Sequence, residues 1–259
     1  MIQKSSKFIL ISASVIVSTL LFVIPLVAAS IYSFKGNQGK GYSFANYLWL
    51  IHQDGFFQSL VTTLKLAILA GALNLILMVP TMVFLNLKGA KFKPLVDFLC
   101  ILPLIIPVVS LAIGAQVSMP SILQNTEYEL VFFYVVISLP FTFRALDNAL
   151  QAVSLNTLVE ASRNLGATWF RTIVKVIVPS IKSGIFSAMF LTFALSIGEY
   201  TITSLLHWDT FSTWTVVAGQ QNILGAIAIS IFSFVGAIAL LTIIALFSNK
   251  SKKLIEVKE

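Results

Sequence analysis

The sequence predicts an all-α fold: a polytopic membrane helical bundle of six transmembrane helices with a cytoplasmic helical element. Three observations predict it. Hydrophobic residues fill 58% of the 259 positions against 10% charged, with a mean hydropathy of +0.94, whereas a soluble globular chain is roughly a quarter charged. Six apolar runs reach the about 20 residues that a bilayer-spanning helix requires. The basic residues collect at one end of those runs. Together these exclude a water-soluble enzyme and leave no room for a separate catalytic domain. Cys100 is the only cysteine and there are two histidines, so neither a disulfide framework nor a zinc site is expected.

The expected spans are 8–31, 60–87, 95–117, 130–150, 185–206 and 223–247, all within a single transmembrane domain, 1–259. The first follows Lys4 and Lys7 and begins like a signal peptide, but it is too long for one and lacks a small-residue cleavage site. The second and third contain Pro80, Pro103 and Pro107, each of which removes a backbone donor and can bend a helix. The fourth is the weakest. Its strongly apolar part stops before Arg144 and Asp147, so its inner end is expected to leave the bilayer as a polar helical extension. An even number of spans puts both termini on one side. Fourteen of the 17 Lys and Arg residues then share that side, with Lys35, Lys40 and Lys65 on or near the other. By the positive-inside rule that side is the cytoplasm, so the basic excess reports orientation in a membrane and not nucleic-acid binding. The first outer loop, 32–59, contains GNQGKGYSFANY and reads as irregular.

The longest cytoplasmic connection, 151–182, reads as helix, tight turn, helix. Thr157 followed by Glu160 makes a capping box, and Leu158, Ala161 and Leu165 then recur on one face. Gly166 suits the left-handed residue that ends a helix. A second helix carrying Trp169, Phe170, Ile173 and Val174 is expected to run on to Pro179. So small an element cannot bury those apolar side chains by itself, which calls for a partner surface.

This segment resembles the EAA loop of the permease subunits of binding-protein-dependent ATP-binding cassette importers. That loop has Glu-Ala-Ala, three residues, Gly, nine residues, then Ile-x-Leu-Pro. Here Glu160, Ala161 and Ser162 precede Gly166 at that spacing, and nine residues later come Val176, Ile177, Val178 and Pro179. Ser162 stands in for the second Ala, and Val176 and Val178 for Ile and Leu. The two spans that follow also fit, and the resemblance extends over about 57–247. It implies a non-catalytic permease whose coupling helix docks on a cytoplasmic ATPase dimer, through Glu160, Ala161, Ser162, Leu165, Gly166, Trp169, Phe170 and Pro179. It also implies a second permease subunit, a heterodimer being expected over a homodimer, an extracytoplasmic solute-binding protein, surrounding membrane lipid and a bacterial inner-membrane location. The chain has no G-x-x-x-x-G-K-[ST], so ATP and Mg are expected on the ATPase and no cofactor in this chain.

Glu199 is the acid expected at membrane depth, with Ser196 and Thr203 within one turn of it, and an intramembrane ionisable residue is a functional candidate by default. These three are the candidate substrate path. FALSIGEYTITSLL also resembles the fifth-span region of permeases for polyamines, ferric iron, thiamine and oxyanions. A carboxylate favours a cation, so a spermidine- or putrescine-like polyamine leads, with ferric iron, thiamine, phosphonate or an oxyanion as alternatives. A stand-alone secondary transporter is the rival class. Asp97, Arg144 and Asp147 are expected at the inner edge as anchors or ion pairs, Asn74 as a helix-to-helix hydrogen bond, and His207 and Trp208 at the outer surface.

Overall fold

A computed structural model describes the backbone of residues 2–36 and 41–256, and the side chains of 14–36, 41–114, 116–239 and 242. The side chains of Lys4, Lys7, Lys40, Lys250, Lys252, Lys253 and Lys258, on which much of the orientation argument rests, lie outside the described residues. The helices, in chain order, are α1 (Ile2–Ser33), α2 (Ala45–Ile51), α3 (Phe56–Leu87), α4 (Lys93–Ile105), α5 (Val108–Ser118), α6 (Glu129–Gln151), α7 (Leu155–Asn164), α8 (Trp169–Thr172), α9 (Val178–Ser180), α10 (Lys182–Gly198), α11 (Thr201–Leu205), α12 (Phe211–Gln221) and α13 (Ile223–Glu256). Among the described residues there is no strand, only an isolated bridge between Lys35 and Tyr42.

Ser14–Ser33 of α1, α3 and α6 are each long and apolar enough to cross a membrane, and two bent helix pairs raise the number to five if each pair is one span. The third expected run is such a pair, α4 and α5 meeting at 102°, because Pro107 caps α5 in an extended conformation after Ile106. Pro25, Pro80, Pro103 and Pro140 all sit inside continuous helices, so of the prolines that sequence reading marks for bending, Pro107 alone coincides with a break.

The chain divides into two compact units. One comprises 1–57 and 214–241, the other 58–213 and 242–259. In the first, residues 37–40 of the stretch expected to be irregular lie outside the described residues, and the part that follows holds a helix: buried Asn46 of α2 donates from Nδ2 to the carbonyls of Ser33 and Lys35, each at 2.9 Å, and Tyr47 donates to Ser33 Oγ. Carbonyls at a helix end have no partner within their helix, and Asn46 supplies one. Phe56 stacks edge-on against Trp214 and Phe232.

In the second unit α6 is the central helix, packed along α4 and antiparallel to α10. Two apolar clusters lie at opposite ends of α3 and α6. One joins Met82, Phe143, Leu146, Leu155, Ile177 and Ile181; the other joins Leu66, Leu130, Tyr134, Ile202 and Leu206. The inner end of α6 meets α4 in two ion pairs, Arg144 with Asp97 at 3.1 Å and Lys93 with Asp147 at 2.5 Å. At its other end buried Glu129 accepts from Trp208 Nε1 at 2.6 Å, so Trp208 is fastened to the first turn of α6 and is not a free surface anchor.

Helices α6 and α10 come closest at Gly184, where a Cβ would be driven into Ala149 Cβ and lie 3.0 Å from the Ala145 carbonyl. Gly184→Val is therefore expected to destabilise the bundle by about 1–3 kcal/mol through overpacking. Gly198→Ala, whose Cβ would meet nothing within 4 Å, is expected to shift stability by less than about 1 kcal/mol. Thermal unfolding of the detergent-solubilised variants checks both.

Candidate functional site

In the connection 151–182, α7 begins at Leu155 with Ser154 before it and no side-chain cap. The expected Thr157–Glu160 capping box therefore does not start the helix; Thr157 lies inside it. Leu155 and Val159 join the apolar cluster shared with α3 and α6, and that burial moves the start of the helix three residues earlier, with Ser154 in place of Thr157 at the cap position. The buried stripe is Leu155, Val159 and Ser162. Of the face expected to meet a partner, Leu158, Ala161 and Leu165, Leu158 is half-buried, Ala161 is exposed and Leu165 is 89% exposed. A short helix with apolar residues on two faces does not reveal which one its own subunit takes.

Gly166 has φ +79°, the conformation expected of it. Its N–H bonds to the Arg163 carbonyl at 2.9 Å, and the Ala167 N–H to the Ser162 carbonyl at 3.1 Å, which is the Schellman pairing that closes a helix C-terminus. Arg163 Nη1 adds a bond to the Ala167 carbonyl at 3.1 Å. The Thr168 side chain then caps α8 by accepting from Arg171 N. Ser162, at the position of the motif's second Ala, lies 2.9 Å from Thr172 Oγ1 with both side chains buried, locking the two arms of the turn together. Chain spacing cannot reveal that bond, because it depends on the angle at Gly166. The second arm runs as a helix from Trp169 to Ser180, reaching Pro179 as expected, but it widens into a π turn over Ile173–Ile177 between α8 and α9. Pro179 directly follows and has no N–H to offer the Lys175 carbonyl.

The result is a rigid knuckle with an apolar outer surface. Phe170 is 78% exposed and Trp169 40%, beside Leu165; Glu160 and Pro179 are exposed as well. A surface of this kind, ordered by backbone bonds and not by its own burial, fits a partner's groove.

In the span region, the fifth expected run breaks at Glu199. α10 ends at Gly198, Glu199 is extended, and α11 starts two residues later. The Glu199 carboxylate accepts from the Ile202 N–H at 3.0 Å and the Thr203 N–H at 3.2 Å, while its carbonyl accepts from Ser212 Oγ at 2.6 Å and Thr203 Oγ1 at 3.2 Å. The carboxylate therefore caps the next helix and is fixed in place, partly exposed. Ser196 and Thr203 are buried, and Ser196 donates to its own helix at Thr192 O.

Midway, buried Asn74 directs Nδ2 at Ser138 Oγ, Thr142 Oγ1 and Thr192 Oγ1, at 2.7, 2.9 and 3.1 Å. Ser138 and Thr192 give their own protons to backbone carbonyls of α6 and α10. Their hydroxyls can then only accept, and the amide must present its NH2 group. Asn74 alone is legible as a helix-to-helix bond. Its three partners leave only a faint trace, hydroxyls four apart in apolar runs at 138 and 142 and at 192 and 196. Among the described residues no cluster of three His, Cys, Asp or Glu could hold a metal.

The chain is similar over residues 68–252 to the family of binding-protein-dependent transport system inner membrane components. Curated relatives include the spermidine/putrescine transport system permease protein PotB of Haemophilus influenzae, 26% identical over 78% of this chain and 79% of the relative. PotC of Escherichia coli K12, named for the same transport system, is 23% identical over 73% of each chain. PotB of Escherichia coli K12 is 25% identical over 58% of this chain and 61% of its own length.

A methyl group at Gly166 would meet nothing within 4 Å, so the cost of Gly166→Ala is the positive φ alone. That cost is about 1–2 kcal/mol for an L-residue in the left-handed region. Hydrogen exchange across 160–172 is expected to speed up about 5- to 30-fold in Gly166→Ala and less in Gly166→Asn, since Asn tolerates that region better.

Proposed function

Because the chain belongs to the inner-membrane components of binding-protein-dependent transport systems, we propose that it is a permease subunit of an ATP-driven importer for polyamines. A multi-pass inner-membrane location goes with that family and with the apolar helices α1, α3 and α6. The observation that carries the reading is the outward surface of Leu165, Trp169 and Phe170 on the turn closed at Gly166. It has the shape and apolarity to seat in a groove of a cytoplasmic ATPase. ATP and Mg belong to that ATPase, and this chain contributes the moving wall of the path. The arrangement includes an ATPase dimer, a second and non-identical permease subunit, an external solute-binding protein, six spans and both termini in the cytoplasm.

A closing ATPase would push on the knuckle. Leu155, Val159, Ile177 and Ile181 share one apolar cluster with α3 and α6, so the push reaches the membrane helices through packed side chains and not through the covalent link to α10 alone. Close-packed interiors transmit such displacement because they deform little.

The polyamine assignment rests on the names of the relatives and on Glu199. Backbone N–H groups of α11 hold that carboxylate in place. A fixed anion attracts a polycation without having to reorganise. Ser196 and Thr203 are buried on either side of it, and Thr203 Oγ1, which donates to the Glu199 carbonyl, supports the bend that presents it.

The test is a reconstituted complex of this chain with its second permease, its ATPase and its binding protein. An ATPase should co-purify and spermidine uptake should require ATP; uptake on an ion gradient with no ATPase would establish the secondary-transporter rival instead. In that complex Glu199→Gln is expected to cut spermidine uptake at least about tenfold, the scale of losing one charged hydrogen-bonded contact of about 1.5–3 kcal/mol, with the ATPase still bound. Unchanged turnover per complex would remove Glu199 from the path.

A further inference from the structure

The cytoplasmic knuckle reaches α3 through a residue outside the motif. Lys88, directly after α3, places Nζ 5.8 Å from the centre of the Trp169 ring, and Arg163 places Cζ 5.6 Å from the same centre. Both lie within the range of cation–π attraction. Trp169 is 40% exposed, in a four-residue helix in which only Thr172 is fully buried, so the two cations act on a ring that packing alone does not enclose. Arg163 is part of the knuckle itself. Lys88 comes from another element, and that makes it a link.

Lys88 is itself well anchored. Its N–H and that of Gly89 both bond to the Phe84 carbonyl at 2.9 Å, closing the end of α3. Five residues on, Lys93 grips Asp147 of α6 at 2.5 Å and Asn86 Oδ1 at 3.2 Å, while Gln151 donates to Asp147 at 2.7 Å. Fourteen residues back along α3, about 21 Å at 1.5 Å per residue, stands Asn74 with its bonds to α6 and α10. A displacement of Trp169 therefore has a continuous route, through Lys88 and the body of α3, to the polar contact between three membrane helices.

We propose that Lys88 is a positioning residue for energy coupling: its ammonium holds the Trp169 ring and joins the ATPase-facing knuckle to α3, so that docking moves α3 together with α10. The proposal rests on the importer reading and adds a second line of transmission to it. A lysine that merely anchored the inner membrane edge would need no ring beneath it, and any cation or polar residue would replace it.

The experiment uses the reconstituted importer and reads spermidine taken up per ATP hydrolysed, with retention of the ATPase measured in the same preparation. Lys88→Gln is expected to lower that ratio about two- to five-fold, the range of an exposed cation–π contact, with the ATPase still bound. Lys88→Arg is expected to keep the ratio, since a guanidinium also stacks on indole. Combining Lys88→Gln with Trp169→Leu should lower it no further than Trp169→Leu alone. An unchanged ratio in Lys88→Gln with the ATPase bound, or fully additive losses in the double variant, overturns the proposal and leaves the importer reading standing. A wild-type chain that retains no ATPase overturns the importer reading and this proposal with it.

Discussion

Hydrocarbon offers no partner to an N–H or a carbonyl, so each place where a membrane-embedded chain stops being helical has to be answered by a group of the protein itself. At Glu199 the side chain of the residue that breaks α10 turns back to receive the free N–H groups of α11, and Ser212 takes up its carbonyl. At the end of α1, Asn46 arrives from α2 to bond the last carbonyls. At Pro107 the break falls where one donor is already missing, and Ile106 still closes onto Leu102. The polar residues of this apolar chain are concentrated where the backbone needs them.

On the polyamine reading proposed above, the same requirement would serve Glu199 twice. A carboxylate that only capped a helix could be replaced by Asp, Asn or Ser with modest loss. One that also faces a polycation must keep both its charge and its position, and the capping bonds supply that position. The capping role that the hydrogen bonds show and the proposed transport role are therefore compatible, because the first would preorganise the second.

Rigidity at the cytoplasmic end has a different origin. The knuckle is held by the Schellman pairing at Gly166, the Ser162–Thr172 bond and the apolar stripe of Leu155 and Val159, which leaves Leu165 and Phe170 largely exposed. Between the two ends, Asn74 ties α3 to α6 and α10 at a height where the flanking clusters are wholly apolar. The bundle thus has one specific polar contact at its centre, and apolar packing on either side of it tolerates small shifts more readily than a hydrogen-bonded triad does.

What the sequence by itself determined follows from local chemistry and from composition. Apolar runs of span length required membrane helices, Gly166 required a left-handed turn, and the spacing from Glu160 to Pro179 identified the family. Each of these depends on neighbours along the chain, and each is legible there. Tertiary structure decided the rest. It decided that Leu155 and Val159, and not Leu158 and Leu165, face the subunit's own core; that the third and fifth apolar runs break; that the outer loop contains a helix anchored by Asn46; and that Asp147 pairs with Lys93 and Trp208 with Glu129. For the buried face of α7 and for the pairs Asp147–Lys93 and Trp208–Glu129 the physical reason is the same. Which of two apolar faces is buried, and which charge finds which partner, depends on the distance between helices that lie 50 to 80 residues apart in the chain, and that distance is set by packing at positions such as Gly184 against Ala149, which no pattern within either helix encodes.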